Sequence, residues 1–538
     1  MPATLQHTKV SCRGGLDLRS TSQELLSKPG FAQQLDNFES EHRGGYSKIN
    51  GYTSYGTNVV PGTGTIKGIE IFNDSILVAR GDDLYHTFDT MTWVQINKEV
   101  SSVDHATLVG SPSTSLNSSA TDVKILPYSH GTVTEEQIVT IVNGYDEVMV
   151  FTVDGTDHTN ATYSFEFLDE GITAAPAGAS CGYVFKDQVY LTGVAEFPSS
   201  LYVSSLTDPK TYNATQSGEF SIADPIKALQ PFRDQMVIFG KNSIFTLKDA
   251  NNTNTTLTAV TTDIGCIHGN SVQEIGGDLV FWAKDGLRTL AGTDKIDDVE
   301  LATISANVQP IFQDKLLNID DIDVYSVVLR EKNQYRIYFP YKDANRFNHV
   351  GVIGTLVAAE NGGLVWSWSL TKNLDALQVT EGFFNQQIIS LMTDKIGDTL
   401  YQHDTGNYFG NENITAVFKT PFADMGDGSI RKNIHRVRTY IKPSGSASVD
   451  MVIRYTGYTN EDISTPAIYN LGELRTPAIY GEAEYGSAYT YGARILENTV
   501  INTEGSGFTY SLRYSSDNGD SQYNIQGYDL DFIAAGKV

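Results

Sequence analysis

Cysteine is scarce in this 538-residue sequence, which has three: Cys12, Cys181 and Cys266. They are widely spaced, form no CxxC pair and are odd in number, so a disulfide framework is excluded and a reducing compartment is favoured. We expect three inert thiols. The ten histidines are scattered without HExxH or another ligand spacing, so no metal and no cofactor are expected.

Long hydrophobic runs are missing as well. No stretch approaches the roughly 18 apolar residues that a membrane span needs. The N-terminus lacks the apolar core of a signal peptide. We therefore expect a soluble protein that is made in the cytoplasm and has no membrane anchor.

Positive charge is the third deficit, with 38 Lys and Arg against 64 Asp and Glu and a net charge of -26. Basic side chains that neutralise phosphates supply most of the non-specific affinity for nucleic acid, so tight DNA binding is not expected. Charged residues make up 19% of the chain, below the roughly 25% of an ordinary domain. Hydrophobic residues at 40% nevertheless exclude a disordered chain.

Motifs of enzyme active sites are also absent. The sequence contains no GxxxxGK[ST], no GxGxxG and no GxSxG. We therefore expect that the chain is not an enzyme. The most serious enzymatic alternative is glycan hydrolysis by paired carboxylates, and the sequence alone cannot place two of its many carboxylates side by side.

What the sequence does contain is an all-β pattern. From about 66 to 420 it shows short alternating or apolar segments separated by Gly, Asn and Asp turns. Residues 66–96 contain four such segments joined by tight turns, the size of one β-propeller blade. We count roughly five to seven similar units before residue 410, within the blade range of propellers.

Two of these units share a Leu-Tyr pair followed by Asp-x-x-Thr-aromatic, and the aromatic residues are Trp93 and Tyr212. The Asp is expected to set a turn and the aromatic to pack between neighbouring blades. The predicted fold is all-β, with a β-propeller core at 61–412. An additional β-sandwich or platform module is expected from segments near the termini, at 1–60 and 413–538.

The predicted terminal segments differ from the propeller. A short helix is expected at 29–40, with Phe31, Leu35 and Phe38 on one side. Residues 413–538 show the longer alternation of a β-sandwich or platform. Within them, 455–507 is rich in Tyr, Gly and Thr and is predicted to be an exposed loop or a hairpin extension at the tip.

Two local features of the C-terminal part have open interpretations. The tyrosines of the predicted loop, among them Tyr458, Tyr480 and Tyr489, suit either protein or glycan contact or packing of a long hairpin. Arg431 and Lys432 begin a basic stretch in an acidic chain. On an alternating strand, such residues favour a solvated or interfacial face paired with carboxylates over DNA contact.

Several segments match one family in order along the chain. The residues that carry the match are 14–56, with Gly-Leu16-Asp17-Leu and Leu-Asp-Asn37-Phe38, then 224–247, 264–290, 304–312 and 527–537. The chain resembles the tail nozzle, or tail tubular B-type, proteins of short-tailed bacteriophages. These matches are packing and turn patterns rather than catalytic signatures.

The resemblance implies a structural virion protein. Six copies would surround a channel below the tail adaptor ring, dock tail fibres or a tail needle, and let genomic DNA pass without tight binding. The propeller core would carry a platform built from chain segments outside it. The predicted structural or interface residues are Leu16, Asp17, Asn37, Phe38, Trp93, Tyr212, Arg431, Lys432, Tyr458, Tyr480 and Tyr489.

The alternative function is a β-propeller glycan-binding or glycan-cleaving protein used in host attachment. Its discriminating feature would be a polar pocket at the propeller centre, where Arg, Asp or Glu side chains converge.

Overall fold

The fold of the chain is known from a computed structural model. It describes residues 5–42, 44–56, 59–97, 108–109, 115–128, 136–157, 161–214, 216–248, 255–291, 303–343, 350–358, 363–374, 376–394, 397–456, 467–474, 497–517 and 519–537. These residues are nearly all β, which confirms the predicted class. No helix among them is long and apolar enough to cross a membrane.

The N-terminal segment forms short strands rather than the predicted helix at 29–40. Its elements are β1 (Leu5–Ser11), α1 (Ser22–Leu26), β2 (Gln34–Asp36), β3 (Phe38–Ser40), β4 (Tyr46–Lys48) and β5 (Tyr52–Ser54). Asn37 interrupts any helix because its φ is 56°. Its side-chain amide donates to the carbonyls of Lys372 and Thr415, which fixes this bend against distant strands. The helix forms earlier, where Thr21 and Glu24 make a capping box.

Five sheets follow in chain order between residues 66 and 289, and each is built from consecutive strands or nearly so. The first sheet contains β6 (Ile66–Phe72), β7 (Ser75–Arg80), β8 (Asp83–Thr87) and β9 (Val94–Gln95), and the second contains β10 (Leu108–Val109), β11 (Lys124–Tyr128), β12 (Glu136–Val142), β13 (Met149–Asp154) and β14 (Thr162–Phe167). The third sheet contains β15 (Cys181–Phe185), β16 (Gln188–Thr192), β17 (Ser200–Val203) and β18 (Gly218–Ser221), and the fourth contains β19 (Ile226–Phe232), β20 (Gln235–Gly240), β21 (Ile244–Lys248) and β22 (Thr256–Thr261). The fifth sheet contains β23 (Gln273–Ile275), β24 (Asp278–Ala283) and β25 (Gly286–Thr289). The first sheet confirms the blade predicted at 66–96.

The sixth blade and the remaining strands come from the second half of the chain. The strands are β26 (Tyr325–Leu329), β27 (Gln334–Phe339), β28 (Val350–Ala358), β29 (Leu364–Lys372), β30 (Leu377–Phe384), β31 (Gln387–Thr393), β32 (Leu400–His403), β33 (Tyr408–Phe409), β34 (Glu412–Asn413), β35 (Thr415–Lys419), β36 (Ile430–Pro443), β37 (Ala447–Thr456), β38 (Ile468–Leu474), β39 (Glu497–Asn502), β40 (Ser506–Gly507), β41 (Thr509–Asp517) and β42 (Tyr523–Lys537). The helices outside the N-terminal segment are short: α2 (Glu170–Thr173), α3 (Gln309–Leu317) and 3-10 turns at Gly269–Ser271, Ala306–Val308, Ile319–Asp321 and Arg330–Lys332.

Six sheets are arranged as a six-bladed β-propeller. The sixth blade, β30 to β34, takes in β5 from the N-terminal segment, which pairs antiparallel with β32. Its inner strand β30 packs against β6 of the first blade, so the circle closes. Between the fifth and sixth blades, β26 reaches the same centre, although it belongs to a larger sheet.

Tight turns end the inner hairpins. Two residues in succession have positive φ at Asn73 and Asp74, at Lys186 and Asp187, and at Asn385 and Gln386. Consecutive positive φ values belong to the type I′ turn, whose twist matches that of a β-hairpin. The repeated strand–turn–strand units of the sequence are therefore the inner hairpins of the blades.

The platform consists of two sheets that share one hydrophobic core. The nine-stranded sheet runs β26-β27-β28-β29-β2-β35-β41-β37-β38, and the seven-stranded sheet runs β3-β4-β42-β36-β39 with β1 on β42 and β40 on β36. Phe38 is fully buried between them and makes edge contacts with Phe418 and Tyr523 at 6.4 and 5.9 Å. Strands β1 and β42 thus both belong to the platform, and strands β26, β27, β28 and β29, inside the predicted propeller range, extend one of its sheets.

The segment predicted at 455–507 as an exposed loop or a hairpin extension contains strands in the part that the structure describes. Residues Ile468–Leu474 form β38 on β37, and Glu497–Asn502 form β39 on β36. The long strands β36 and β37 would otherwise present unpaired backbone groups along their edges, and these two strands satisfy them.

A buried ion cluster joins the platform to the propeller. The Arg336 guanidinium Nη2 lies 2.8 Å from Glu39 Oε2 and 3.0 Å from Asp404 Oδ1. The Lys332 ammonium contacts the same two carboxylates at 2.8 and 2.7 Å. Glu39 belongs to β3, Arg336 to β27, and Asp404 directly follows β32. Two sheets and the sixth blade therefore meet in one set of charges.

Substituting Arg336→Met is expected to destabilise the protein by about 3–5 kcal/mol, because two buried carboxylates lose a partner that water cannot replace. Urea unfolding followed by fluorescence measures this change. The control is Lys210→Met, which removes a half-exposed ion pair with Glu166 and should cost less than about 1 kcal/mol. Equal losses for the two variants would contradict a linking role for the cluster.

Candidate functional site

A cavity of about 1170 Å³ lies where the inner strands β6, β11, β15, β19, β23, β26 and β30 converge. We call it the central cavity. Its lining contains many polar, charged and aromatic side chains, among them Glu70, Asp122, Lys124, Tyr183, Lys227, His268, Asn270, Glu274, Tyr325, Arg330, Gln378 and Glu381. This is the polar, convergent centre that the glycan alternative requires.

Glycine lets the inner strands approach one another around this cavity. A Cβ atom at Gly68 of β6 would lie 2.3 Å from the Val123 carbonyl oxygen, and one at Gly182 of β15 would lie 2.6 Å from a Leu126 methyl carbon. Neither position accepts a side chain without backbone movement. The blades are therefore held close to the axis.

Three side chains contact the Asp122 carboxylate in the cavity. Its Oδ2 lies 3.0 Å from the Lys124 ammonium and accepts a hydrogen bond from Asn270 Nδ2 at 3.2 Å. Its Oδ1 accepts from Gln378 Nε2 at 3.4 Å. Gln378 in turn donates to the Tyr325 hydroxyl at 3.4 Å. The partners come from different sheets, so the carboxylate is fixed by the closed circle.

These contacts decide the charge of Asp122. Burial by itself acts to raise the pKa of this carboxyl, but the Lys124 charge and the hydrogen bonds from Lys124, Asn270 and Gln378 outweigh burial and lower the pKa. Asp122 is therefore ionised at neutral pH.

The pKa of the Glu70 carboxyl, on the neighbouring blade, is shifted in the opposite direction. Burial raises the pKa of its carboxyl to about 8, and the Lys124 charge opposes that rise without cancelling it. Glu70 thus keeps its proton at neutral pH. The central cavity holds one protonated and one ionised carboxyl, the combination that acid–base chemistry needs.

His268 adds a neutral imidazole. Burial lowers its pKa to about 4, with the Asp122 charge acting in the other direction. The backbone N–H of Asn270 donates to Nδ1 at 3.3 Å, so the proton of the neutral ring is on Nε2. His268 therefore acts as a hydrogen-bond donor at ordinary pH and not as a cation.

Arg330 and Tyr183 lie further along the inner strands. Arg330 Nη1 contacts Glu381 Oε2 at 2.5 Å, and the Arg330 backbone N–H donates to the other carboxylate oxygen at 3.3 Å. Tyr183 is 36% exposed and lines the central cavity. Burial raises the pKa of its hydroxyl, so the hydroxyl remains a donor.

The cysteines are unpaired thiols. Cys181 lines the central cavity, and burial raises the pKa of its thiol, as it raises those of Cys12 and Cys266. All three are therefore poor nucleophiles. Within the described ranges, no cluster of three His, Cys, Asp or Glu side chains is arranged to hold a metal ion.

The described residues that the sequence singled out lie away from this cavity. Leu16, Asp17, Asn37 and Phe38 are buried in the platform part of the fold. Asp17 accepts hydrogen bonds from the Ser20 backbone N–H and hydroxyl at 2.9 and 2.7 Å, and it contacts the Lys28 ammonium at 3.0 Å.

The remaining predicted residues are distributed over the molecule. Trp93 packs half-buried beside a core between the first and sixth blades, and Tyr212 is buried between the second and third. Tyr458, Tyr480 and Tyr489 lie outside the described residues.

The basic stretch that starts at Arg431 lies on β36. The Lys432 ammonium is buried and donates to the backbone carbonyls of Asp424 and Asp427. Further along, Arg436 and Arg438 lie 3.9 and 3.4 Å from Asp531 of the adjacent strand β42. These arginines therefore pair with a carboxylate of the same chain.

The residues of the central cavity were missed by the sequence reasoning. One signal could have found part of them: a turn such as Asn73-Asp74 or Lys186-Asp187 marks the end of an inner strand. Glu70 and Tyr183, each a polar residue three positions before such a turn, line the cavity. Asp122 and Asn270 precede the strands β11 and β23, so this signal does not identify them.

No protein-family model matches the chain, and no curated protein matches it. Similar solved structures include an ancestral GH74 enzyme (11% identity, TM-score 0.38), where 66% of this chain matches 53% of the other, about half its length. Another is the exo-β-1,3-galactanase of Phanerochaete chrysosporium, with 10% sequence identity and a TM-score of 0.25, where the match covers 89% of this chain and 100% of the other. A third is BBS1N in complex with ARL6DN, with 10% sequence identity and a TM-score of 0.37, where the match covers 66% of this chain and 98% of the other.

The prediction that the chain is not an enzyme is overturned by these matches, because glycoside hydrolases are among them. At such low identity the likenesses concern the fold alone, and they assign no substrate to this chain.

Glu70→Gln is expected to stabilise the protein relative to the natural chain, by an amount that grows with pH. The folded carboxyl has a pKa of about 8, above its ordinary 4.5, so the natural chain loses stability as pH rises through this interval, whereas the glutamine has no proton to lose. The free energy of unfolding of Glu70→Gln minus that of the natural chain is expected to be about 1–3 kcal/mol larger at pH 8 than at pH 5.

Urea titrations at pH 5, 6.5 and 8 measure that difference. The control is Glu166→Gln, which removes a half-exposed surface carboxylate beside Lys210 and so separates the effect of losing a carboxylate from the effect of burying one. A pH-independent difference for Glu70→Gln would show that Glu70 is ionised in the folded protein.

Proposed function

We propose that the chain binds a glycan in the central cavity and hydrolyses a glycosidic bond there. The observation that carries this proposal is the pair of Glu70 and Asp122, one protonated and one ionised, in the polar centre of a propeller. Glycosidases use two carboxyl groups in these two states.

The chemistry of the lining suits a saccharide. Sugar hydroxyls need both donors and acceptors, and the cavity offers His268, Gln378 and Arg330 as donors and carboxylates as acceptors. The exposed ring of Tyr183 provides an apolar surface for the C–H face of a pyranose. Cavities that bind small molecules combine a few such polar groups with apolar walls.

The Lys124 charge acts on both carboxyl groups, Glu70 and Asp122. A protonated and an ionised carboxyl can act as general acid and general base in a single displacement by water, which is the route of inverting enzymes.

In this reaction Glu70 donates its proton to the leaving-group oxygen as the bond from that oxygen to the anomeric carbon breaks. Asp122 takes a proton from water as the water oxygen bonds to the anomeric carbon. One water is consumed, and Glu70 and Asp122 return to their starting states by exchanging protons with solvent.

Glu70→Gln and Asp122→Asn are each expected to lower turnover by about 100-fold or more while glycan binding is kept, since general acid–base groups contribute that much. The purified full chain is screened on a glycan array. Hydrolysis of the bound saccharides is then followed by mass spectrometry. Glu166→Gln, outside the cavity, is the control and should retain full turnover.

If the natural chain binds saccharides but does not hydrolyse them, hydrolysis is refuted and only glycan binding is kept. If it binds no saccharide of the array with a Kd of about 1 mM or tighter, the proposed function is refuted. Turnover that survives in both cavity variants would remove the assigned roles of Glu70 and Asp122.

A second candidate function is the homo-hexameric tail nozzle that the sequence resemblance implies. The observation that favours it is the platform, which gathers β1 to β4 from one end of the chain and β35 to β42 from the other beside the propeller. A net charge of -26 suits a channel wall to which DNA does not adhere. Adaptor ring, fibres, needle and a place in the virion stay predictions of this candidate.

The nozzle candidate predicts rings with six-fold symmetry and a central pore in negative-stain images of the purified chain, alone or with its adaptor. It also predicts no duplex binding at physiological salt in fluorescence anisotropy, because acidic walls repel phosphates. Micromolar binding to duplex DNA, or a monomer in the presence of the adaptor, would contradict the nozzle and leave the glycan site unaffected.

A further inference from the structure

We infer that Asn270 is a positioning residue that fixes the Asp122 carboxylate in the central cavity and keeps it charged. A catalytic role for Asn270 rests on the proposed function, in which Asp122 is the general base. Asn270 itself transfers no proton and acts by orienting Asp122.

Asn270 is held on four sides. Its backbone N–H donates to His268 Nδ1 at 3.3 Å, and its carbonyl accepts from the Ser326 hydroxyl at 2.5 Å. Its side-chain Oδ1 accepts from the Lys124 ammonium at 2.8 Å, and its Nδ2 donates to Asp122 at 3.2 Å. An amide fixed in this way has no freedom to turn away from the carboxylate.

The side chain closes a triangle with Asp122 and Lys124. Lys124 contacts Asp122 directly at 3.0 Å and Asn270 at 2.8 Å, so the amide orients the ammonium as well as the carboxylate. Asp122 and Lys124 belong to the second blade, whereas Asn270 lies in the 3-10 turn that precedes the fifth. The amide therefore joins two blades across the cavity.

Several other groups face Asp122. Asp323 and Tyr325 come from the segment of β26, His268 from the turn of Asn270, Cys181 from β15, and the uncharged Gln378 from β30. The Asp323 carboxyl is the negative group among them, and its own pKa is raised, first by burial. Lys124 and the amide donors supply the stabilisation of the charge on Asp122.

The substitution Asn270→Asp would keep the shape of the side chain but replace the N–H donor that stabilises the charge on Asp122 with a carboxylate oxygen. A second carboxylate would then compete for Lys124 and repel Asp122, as two carboxylates sharing one site do. Asn270→Asp is therefore expected to move the titration midpoint of Asp122 upward by about one pH unit or more. The acidic limb of any turnover profile should move with it.

Carboxyl NMR of the full chain labelled with [4-13C]aspartate measures this midpoint directly, and the signal of Asp122 is assigned by its loss in Asp122→Asn. The matched control is Asn242→Asp. Asn242 donates to Asp224 at 3.1 Å and accepts from the Lys284 ammonium at 2.8 Å, and it is not among the residues that line the cavity. This control should leave the Asp122 midpoint unchanged.

If Asn270→Asp does not fold, Asn270→Ala removes the donor alone, and a smaller upward movement of the midpoint is expected. A midpoint that stays within about 0.3 pH unit of the natural value, or that moves equally in Asn242→Asp, would overturn the inference. The measurement needs no glycan. A chain that binds no saccharide but shows the movement would therefore refute the proposed function and keep the role of Asn270.

Discussion

The pairing of buried charges among Glu39, Lys332, Arg336 and Asp404 is the constraint on which the other parts of the molecule depend. A buried charge without a partner costs several kcal/mol, so these four groups have to assemble together. They bring β3, β27 and the end of β32 to one point. Strand β5 lies two strands further along the chain from β3, pairs with β32 and adds to the sixth blade, which packs against the first blade and closes the propeller.

The central cavity is a product of that closure. Asp122 receives hydrogen bonds from Asn270 and Gln378, which approach from the fifth and sixth blades. In an open arc these partners would be far apart. Asp122 would then be an ordinary carboxylate, and Glu70 would not be buried enough to hold its proton. The opposite charge states of the two groups thus follow from the architecture.

The two candidate functions use different parts of the chain. The glycan hypothesis rests on the propeller centre, where Lys124, Lys227 and Arg330 offset several carboxyl groups in an otherwise acidic protein. The nozzle hypothesis rests on the platform and on net charge. A platform that assembles into a larger particle and a propeller that engages a saccharide are physically compatible in one chain.

The local structure could be predicted from the amino-acid sequence: strands at 66–96, tight turns, inert thiols and repeated hairpins. These features depend on alternation and turn chemistry within a few residues. The strands β2 and β3, in place of the helix predicted at 29–40, depend on long-range contacts, because the bend at Asn37 is held by Lys372 and Thr415, hundreds of residues away. The candidate site depends on long-range contacts as well, because Glu70, Asp122 and Asn270 acquire their charge states and partners only when distant blades meet.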